Sequence, residues 1–105
     1  MNMTDLLFTP EEYANYAHEE NIFRNAVMIT QIENSQISQL ESLQVIQPNA
    51  ERAREITTRR RKLWQWALTA MRLQRQYHFP AFIYMHIAGP PGYQDLPLYR
   101  LPPNK

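Results

Sequence analysis

The 105-residue chain contains no cysteine. That excludes disulfides, thiolate metal sites and thiol redox chemistry. Glycine occurs only twice, at Gly89 and Gly92. Such scarcity favours long helices over a turn-rich β fold and leaves no material for a phosphate-cradling loop in the helical region. Neither the glycine-rich nucleotide fingerprints nor G-x-S-x-G is present. No apolar run approaches the roughly 20 residues of a membrane span, the longest being broken by His86. Met1-Asn2-Met3-Thr4-Asp5 lacks the basic and apolar stretches of a secretion signal. The expectation is a soluble protein, cytoplasmic or held within a large assembly.

Candidate chemistry is equally sparse. His18, His78 and His86 form no His-x-x-x-His, Glu-x-x-His or His-Glu-x-x-His pattern. Ser35, Ser38 and Ser42 lie in one helical stretch with no histidine spaced to activate them. Glu11-Glu12 and Glu19-Glu20 fall in the opening turns of a helix, where carboxylates suit the macrodipole. No catalytic, cofactor-binding or metal-binding residue is therefore assigned, no cofactor is expected, and the chain reads as non-enzymatic.

What is present is charge sorted by position. Residues 1–47 carry Asp5, Glu11, Glu12, Glu19, Glu20, Glu33 and Glu41 against Arg24 alone. Residues 48–77 carry Arg52, Arg54, Arg59, Arg60, Arg61, Lys62, Arg72 and Arg75 against Glu51 and Glu55. Pro48 stands at the seam. Two amphipathic segments of opposite sign, joined by a short turn, suit packing against each other or against copies of themselves.

The local signals give boundaries. Residues 1–8 form a leader. Thr9 as N-cap, Pro10 at the first helical position and Glu12 completing Thr-x-x-Glu mark a helix start, with Phe8 and Tyr13 as a hydrophobic staple. Ile22, Ala26, Ile29, Ile32, Ile37, Leu40, Leu43 and Ile46 then recur on one broad helical stripe. Phe23, Val27 and Val45 fall off it. Asn34-Ser35-Gln36 is a place for a bend or break, and a continuous or mildly bent helix is preferred. Gln47-Pro48-Asn49 is the turn. The second helix runs to about Tyr77 on a stripe of Ala53, Ile56, Leu63, Trp64, Ala67, Ala70 and Met71, with Trp66 and Leu73 outside it. The predicted fold is all-α: two long antiparallel amphipathic helices over residues 9–78, in the manner of a coiled coil, with an extended arm over 79–105.

Folding the two segments about Pro48 places Arg60 near Glu33 and Gln36, a polar layer that fixes register. Residues 79–88 are rich in aromatic and β-branched types and read as one short strand or an extended arm laid over the helices. A lone strand has no partner in this chain, so that β-pairing needs another molecule. Residues 79–105 hold six of the eight prolines, predicting a polyproline-like arm with Tyr93, Leu96, Pro97, Leu98, Tyr99, Leu101 and Pro102 as exposed partner-binding anchors.

The function expected is a protein–protein interaction or assembly module. It reads as an adaptor or structural subunit of a homo-oligomer or larger complex, of the kind found in viral particles, docking through its proline-rich arm. The alternative is a small nucleic-acid-binding regulator using Arg59, Arg61, Lys62, Trp66, Arg72 and Arg75.

Overall fold

A computed structural model describes residues 9–103. The leader over residues 1–8 and the Phe8–Tyr13 staple lie outside what it describes. The element order is α1 (Pro10–Ile46), α2 (Ala50–Tyr77), β1 (Phe82–Ile87) and β2 (Leu96–Arg100). The protein is mostly helical with a small two-stranded antiparallel sheet.

Local chemistry fixes the helix ends. Thr9 Oγ1 accepts from the Glu12 amide at 3.1 Å, and Pro10 opens α1. The helix is unbroken through Asn34-Ser35-Gln36. It ends at Gln47, whose amide donates to Leu43 O, and Asn49 caps α2 by accepting from the Arg52 amide. Gln44 holds the turn together, its amide nitrogen donating to Asn49 O at 3.0 Å and its Oε1 accepting from Asn49 N at 3.2 Å. At the far end His78 adopts the left-handed conformation (φ 57°) with its amide bonded to Gln74 O, and Pro80 follows.

The helices pack side by side, residues progressively earlier in α1 meeting residues progressively later in α2. Arg52 reaches Gln44, Arg60 reaches Glu41, and Tyr16 lies edge-on to Tyr77. Ala26, Thr30, Ala67 and Ala70 are all buried. Residues this small cannot fill the space between two helices by themselves.

The arm fills it. β2 pairs antiparallel with β1 in the register Phe82↔Arg100 to Ile87↔Leu96, with a bulge between Ile83 and Met85. The expectation of a strand without an in-chain partner is therefore overturned. Gly89 and Gly92 supply the return: a Cβ at Gly89 would lie 2.8 Å from Tyr93 Cβ and 2.9 Å from Trp64 Cδ1, and Gly92 has φ +88°. Trp64 Nε1 donates to Gln94 O at 2.9 Å, fastening this connection to α2.

Leu96, Leu98 and Tyr99 are buried, not exposed. Leu96 and Leu98 complete a cluster with Ile37, Leu63, Ala67 and Ile87. Tyr99 joins Phe23, Ala26, Val27, Ala70 and Phe79. In that second cluster Phe79 stacks on Phe23 and Tyr77 at centroid distances of 5.2 and 5.3 Å, with Tyr16 edge-on at 5.1 Å. On α2 the buried residues Leu63, Ala67 and Ala70 belong to the expected stripe. On α1 they follow it only in part: Ala26 and Ile37 of the stripe are buried, but so are residues off it. Phe23 and Val27 are core, whereas Ile32, Leu43 and Ile46 are exposed, because the interior includes a sheet on the side that the stripe leaves out.

Since β2 is core, Leu98→Ala should lower the unfolding free energy by about 2–5 kcal/mol in urea titration. Val45→Ala, on a residue 84% exposed, should change it by less than about 0.5 kcal/mol.

Candidate interaction surface

Three groups of residues singled out by the sequence can now be placed. Glu33 and Gln36 meet an arginine across the seam, partly exposed, but not the one expected. Arg59, not Arg60, meets Glu33 and Gln36: Nε donates to Glu33 Oε2 at 3.1 Å, and Nη2 donates to Glu33 Oε1 at 2.6 Å and to Gln36 Oε1 at 2.7 Å. Arg60 instead forms a two-pronged pair with Glu41, Nε donating to Oε2 at 2.9 Å, and its Nη1 donates to Ala88 O. Adjacent residues on a helix point about 100° apart, so one arginine serves the side of the seam away from the sheet and the other reaches the end of β1.

Glu33 is held below its ordinary carboxylate value by the hydrogen bond from Arg59 and by the positive charges of Arg59 and Lys62, against the opposing effect of burial. The same bond to Glu33 raises Arg59. Burial pushes the Tyr99 phenol up, with Arg75 opposing it.

The second group, the proposed anchors of the arm, is largely consumed by the fold. Leu96, Leu98 and Tyr99 are buried, and Pro97, Leu101 and Pro102 are partly covered. Gln31 Nε2 donates to Tyr99 O at 3.3 Å, tying β2 to α1. Tyr93 remains half exposed, edge-on to Trp64 at 4.9 Å. An extended segment beside an unfilled seam gains more by entering it than by remaining in water.

In the third group, Arg59 is engaged with Glu33, Gln36 and Glu55, so it is not a free ligand for phosphate. Arg61, Lys62, Arg72 and Arg75 are exposed and form no salt bridge among the described residues. Arg54 has the same character, and Arg54, Arg61 and Arg72 fall within about 20° of one another on the helix. Trp66, 39% exposed, borders a shallow hollow with Lys62, Gln65 and Thr69 on a different side of α2.

What remains open is a surface of which the sequence singles out the strand, as a segment for pairing with another molecule, but not the α1 side beside it. In β1, Phe82, Ile83, Tyr84 and Met85 are 53%, 60%, 50% and 39% exposed. Among the described residues β1 pairs with β2 alone, so its outer edge presents unpaired backbone groups. Beside that edge runs a cleft of about 470 Å³ lined by Gln31, Asn34, Ser35, Ser38, Gln39 and Ser42 of α1 and by Tyr84 and Leu98. Met28 and Ile32, half exposed, continue the α1 side.

This side of α1 carries no free charge. Between Asn25 and Asn49 the only charged residues are Glu33 and Glu41, and both are turned toward α2 by Arg59 and Arg60. The signal was present in the sequence as a long stretch nearly devoid of charge on a helix otherwise rich in glutamate.

No helix among the described residues is long and apolar enough to cross a membrane. Comparison with protein-family models, with curated proteins and with solved structures gives no match.

The Glu33–Arg59 bond has a defined pH signature. Because the folded-state value of Glu33 is depressed, its contribution is complete above the ordinary value of 4.5 and is lost as pH falls through the lower, folded-state value. The stability difference between the wild type and Glu33→Gln should therefore be largest above pH 4.5 and shrink in acid. Denaturant titrations across that range measure it, and a constant difference refutes the pairing.

Proposed function

We propose that this chain is a non-enzymatic protein–protein interaction or assembly module. In this reading the two helices form a helical hairpin, a rigid scaffold closed by the strand pair. Contact with other molecules runs through the outer edge of β1 and the uncharged side of α1, in place of the proline-rich segment. The observation that carries it is the coincidence on one side of an apolar, unpaired strand edge with a helical face lacking free charge. Solvated helical faces ordinarily carry charge, and an exposed apolar edge strand is a template for pairing.

Ile32→Glu and Ile83→Lys place charges on this surface without touching either buried cluster. Each should leave the circular dichroism spectrum and unfolding midpoint close to wild type. Each should also shift the protein, in gel filtration of extracts from the cells that make it, from a large species to the mass of the single chain. A wild-type protein that already elutes as a free monomer in such extracts refutes the reading.

A second reading rests on Arg54, Arg61 and Arg72, a row of cations along the outer side of α2 that would suit a phosphate backbone. Under it, anisotropy titrations with labelled oligonucleotides show affinity falling steeply with salt. Changing these three arginines to glutamine reduces the salt slope by about three, roughly one per lost phosphate contact. Salt-independent or absent binding removes this alternative.

A further inference from the structure

Resting on the interaction-module reading, we propose that the occupant of the open side is a second copy of this chain. The outer edge of β1 pairs antiparallel with the same edge of the partner across a two-fold axis, and the uncharged sides of the two α1 helices pack beneath. The result is a four-stranded sheet in the order β2-β1-β1-β2 with all four helices on one face.

Several independent features point to a copy of the chain itself. An antiparallel strand edge is self-complementary about a two-fold, every free donor meeting a free acceptor. The segment Phe82–Ile87 contains no lysine, arginine, carboxylate or proline to block such pairing. Its one irregularity is the bulge between Ile83 and Met85.

The spacing also fits. Leu96 and Leu98 of β2 contact both helices, and Tyr84 of β1 lies across the cleft from Ser35, Ser38 and Ser42 of α1. The next strand position is therefore over the outer side of α1. Four strands place the two β2 strands three spacings apart, about 14 Å. Four helices at the closest interaxial distance, about 8 Å, place the two helix seams about 16 Å apart. The match requires the α1 helices to approach closely, and on the facing side Ser35 and Ser42 offer small side chains beside the larger Met28, Gln39 and Ile46. Met28, Ser35, Gln39 and Ile46 share one face of α1 within about 40°, so this contact combines apolar and uncharged polar groups.

Charge selects the orientation. A two-fold on the α1 side sends the Arg54, Arg61 and Arg72 rows to opposite ends of the dimer, whereas one on the α2 side would bring them together. The area suffices as well. Met28, Ile32, Phe82, Ile83, Tyr84 and Met85 are each between 39% and 60% exposed. Side chains of this size then offer about 100 Å² apiece, on the order of 600 Å² together. The intervening serines and glutamines raise this toward the ~800 Å² per partner of a standard interface.

The test uses the purified full chain. Sedimentation equilibrium should give the dimer mass. Ile83→Lys on the strand edge and Ser38→Arg on the helix face should each raise the dissociation constant by about 100-fold or more, with helical content retained. Because the chain has no cysteine, Ser35→Cys should form a disulfide-linked dimer under mild oxidation, and Arg61→Cys should not. A dimer indifferent to both charge substitutions and cross-linked through Arg61→Cys overturns the proposal. So does a purified chain that is monomeric at every soluble concentration. If that monomer nevertheless migrates as a large species in cell extract, self-pairing fails while the interaction-module reading stands. If it is monomeric in both, both fail.

Discussion

The structure depends on β2 occupying the seam between two helices. Ala26 and Thr30 on α1 and Ala67 and Ala70 on α2 are too small to close that seam, and their smallness makes room for Leu96, Leu98 and Tyr99. Three otherwise separate elements thereby become one interior. Phe79, just beyond the left-handed turn at His78, ties the end of α2 to Phe23 and Tyr16 and sets the direction in which the chain returns.

The second organising effect is electrostatic. Opposite charge in the two halves is not spent on a general attraction of one rod for another. Two arginines, adjacent in sequence, collect the two glutamates of the latter half of α1. Each pair is partly exposed, so its contribution to stability is modest. Its larger effect is on what is left behind: α1 presents serine, glutamine, methionine and isoleucine outward, while α2 presents arginine. One side of the molecule is thus chemically suited to contact and the other to water.

Much of this was legible in the sequence where the determinants are local. Thr9-Pro10 and Pro48-Asn49 specify helix ends through groups within four residues, and both ends fall where expected. The α2 stripe was legible because its one apolar face is also its buried face. On α1 the apolar residues spread over most of the circumference, and periodicity alone does not say which part faces inward. The stripe centred on Ile29 and Leu40 is rotated by roughly 90° from the buried one centred near Thr30, and Ala26 and Ile37 belong to both. Arg59 and Arg60 were exchanged for a similar reason, since facing positions on two helices are defined to within a residue and neighbouring residues point different ways. The strand pair was obscured by its composition. Pro97 lies inside β2, and Gly89-Pro90-Pro91-Gly92 resembles the start of an irregular tail. A two-residue hairpin signal is missing because the connection spans residues 88–95.

The long reach from α1 to β2 also bears on how the molecule folds. Gln31 bonds to the carbonyl of a residue 68 positions away, and the Phe23–Tyr99 ring contact spans still more chain. Helices and their turn form on microsecond timescales from neighbouring residues, whereas contacts between distant segments wait on closing a large loop. Docking of the strand pair is thus the slow event, and until it occurs the alanine-lined seam stands open. The nascent molecule spends its most adhesive interval with its interior, rather than its eventual contact face, turned toward its neighbours.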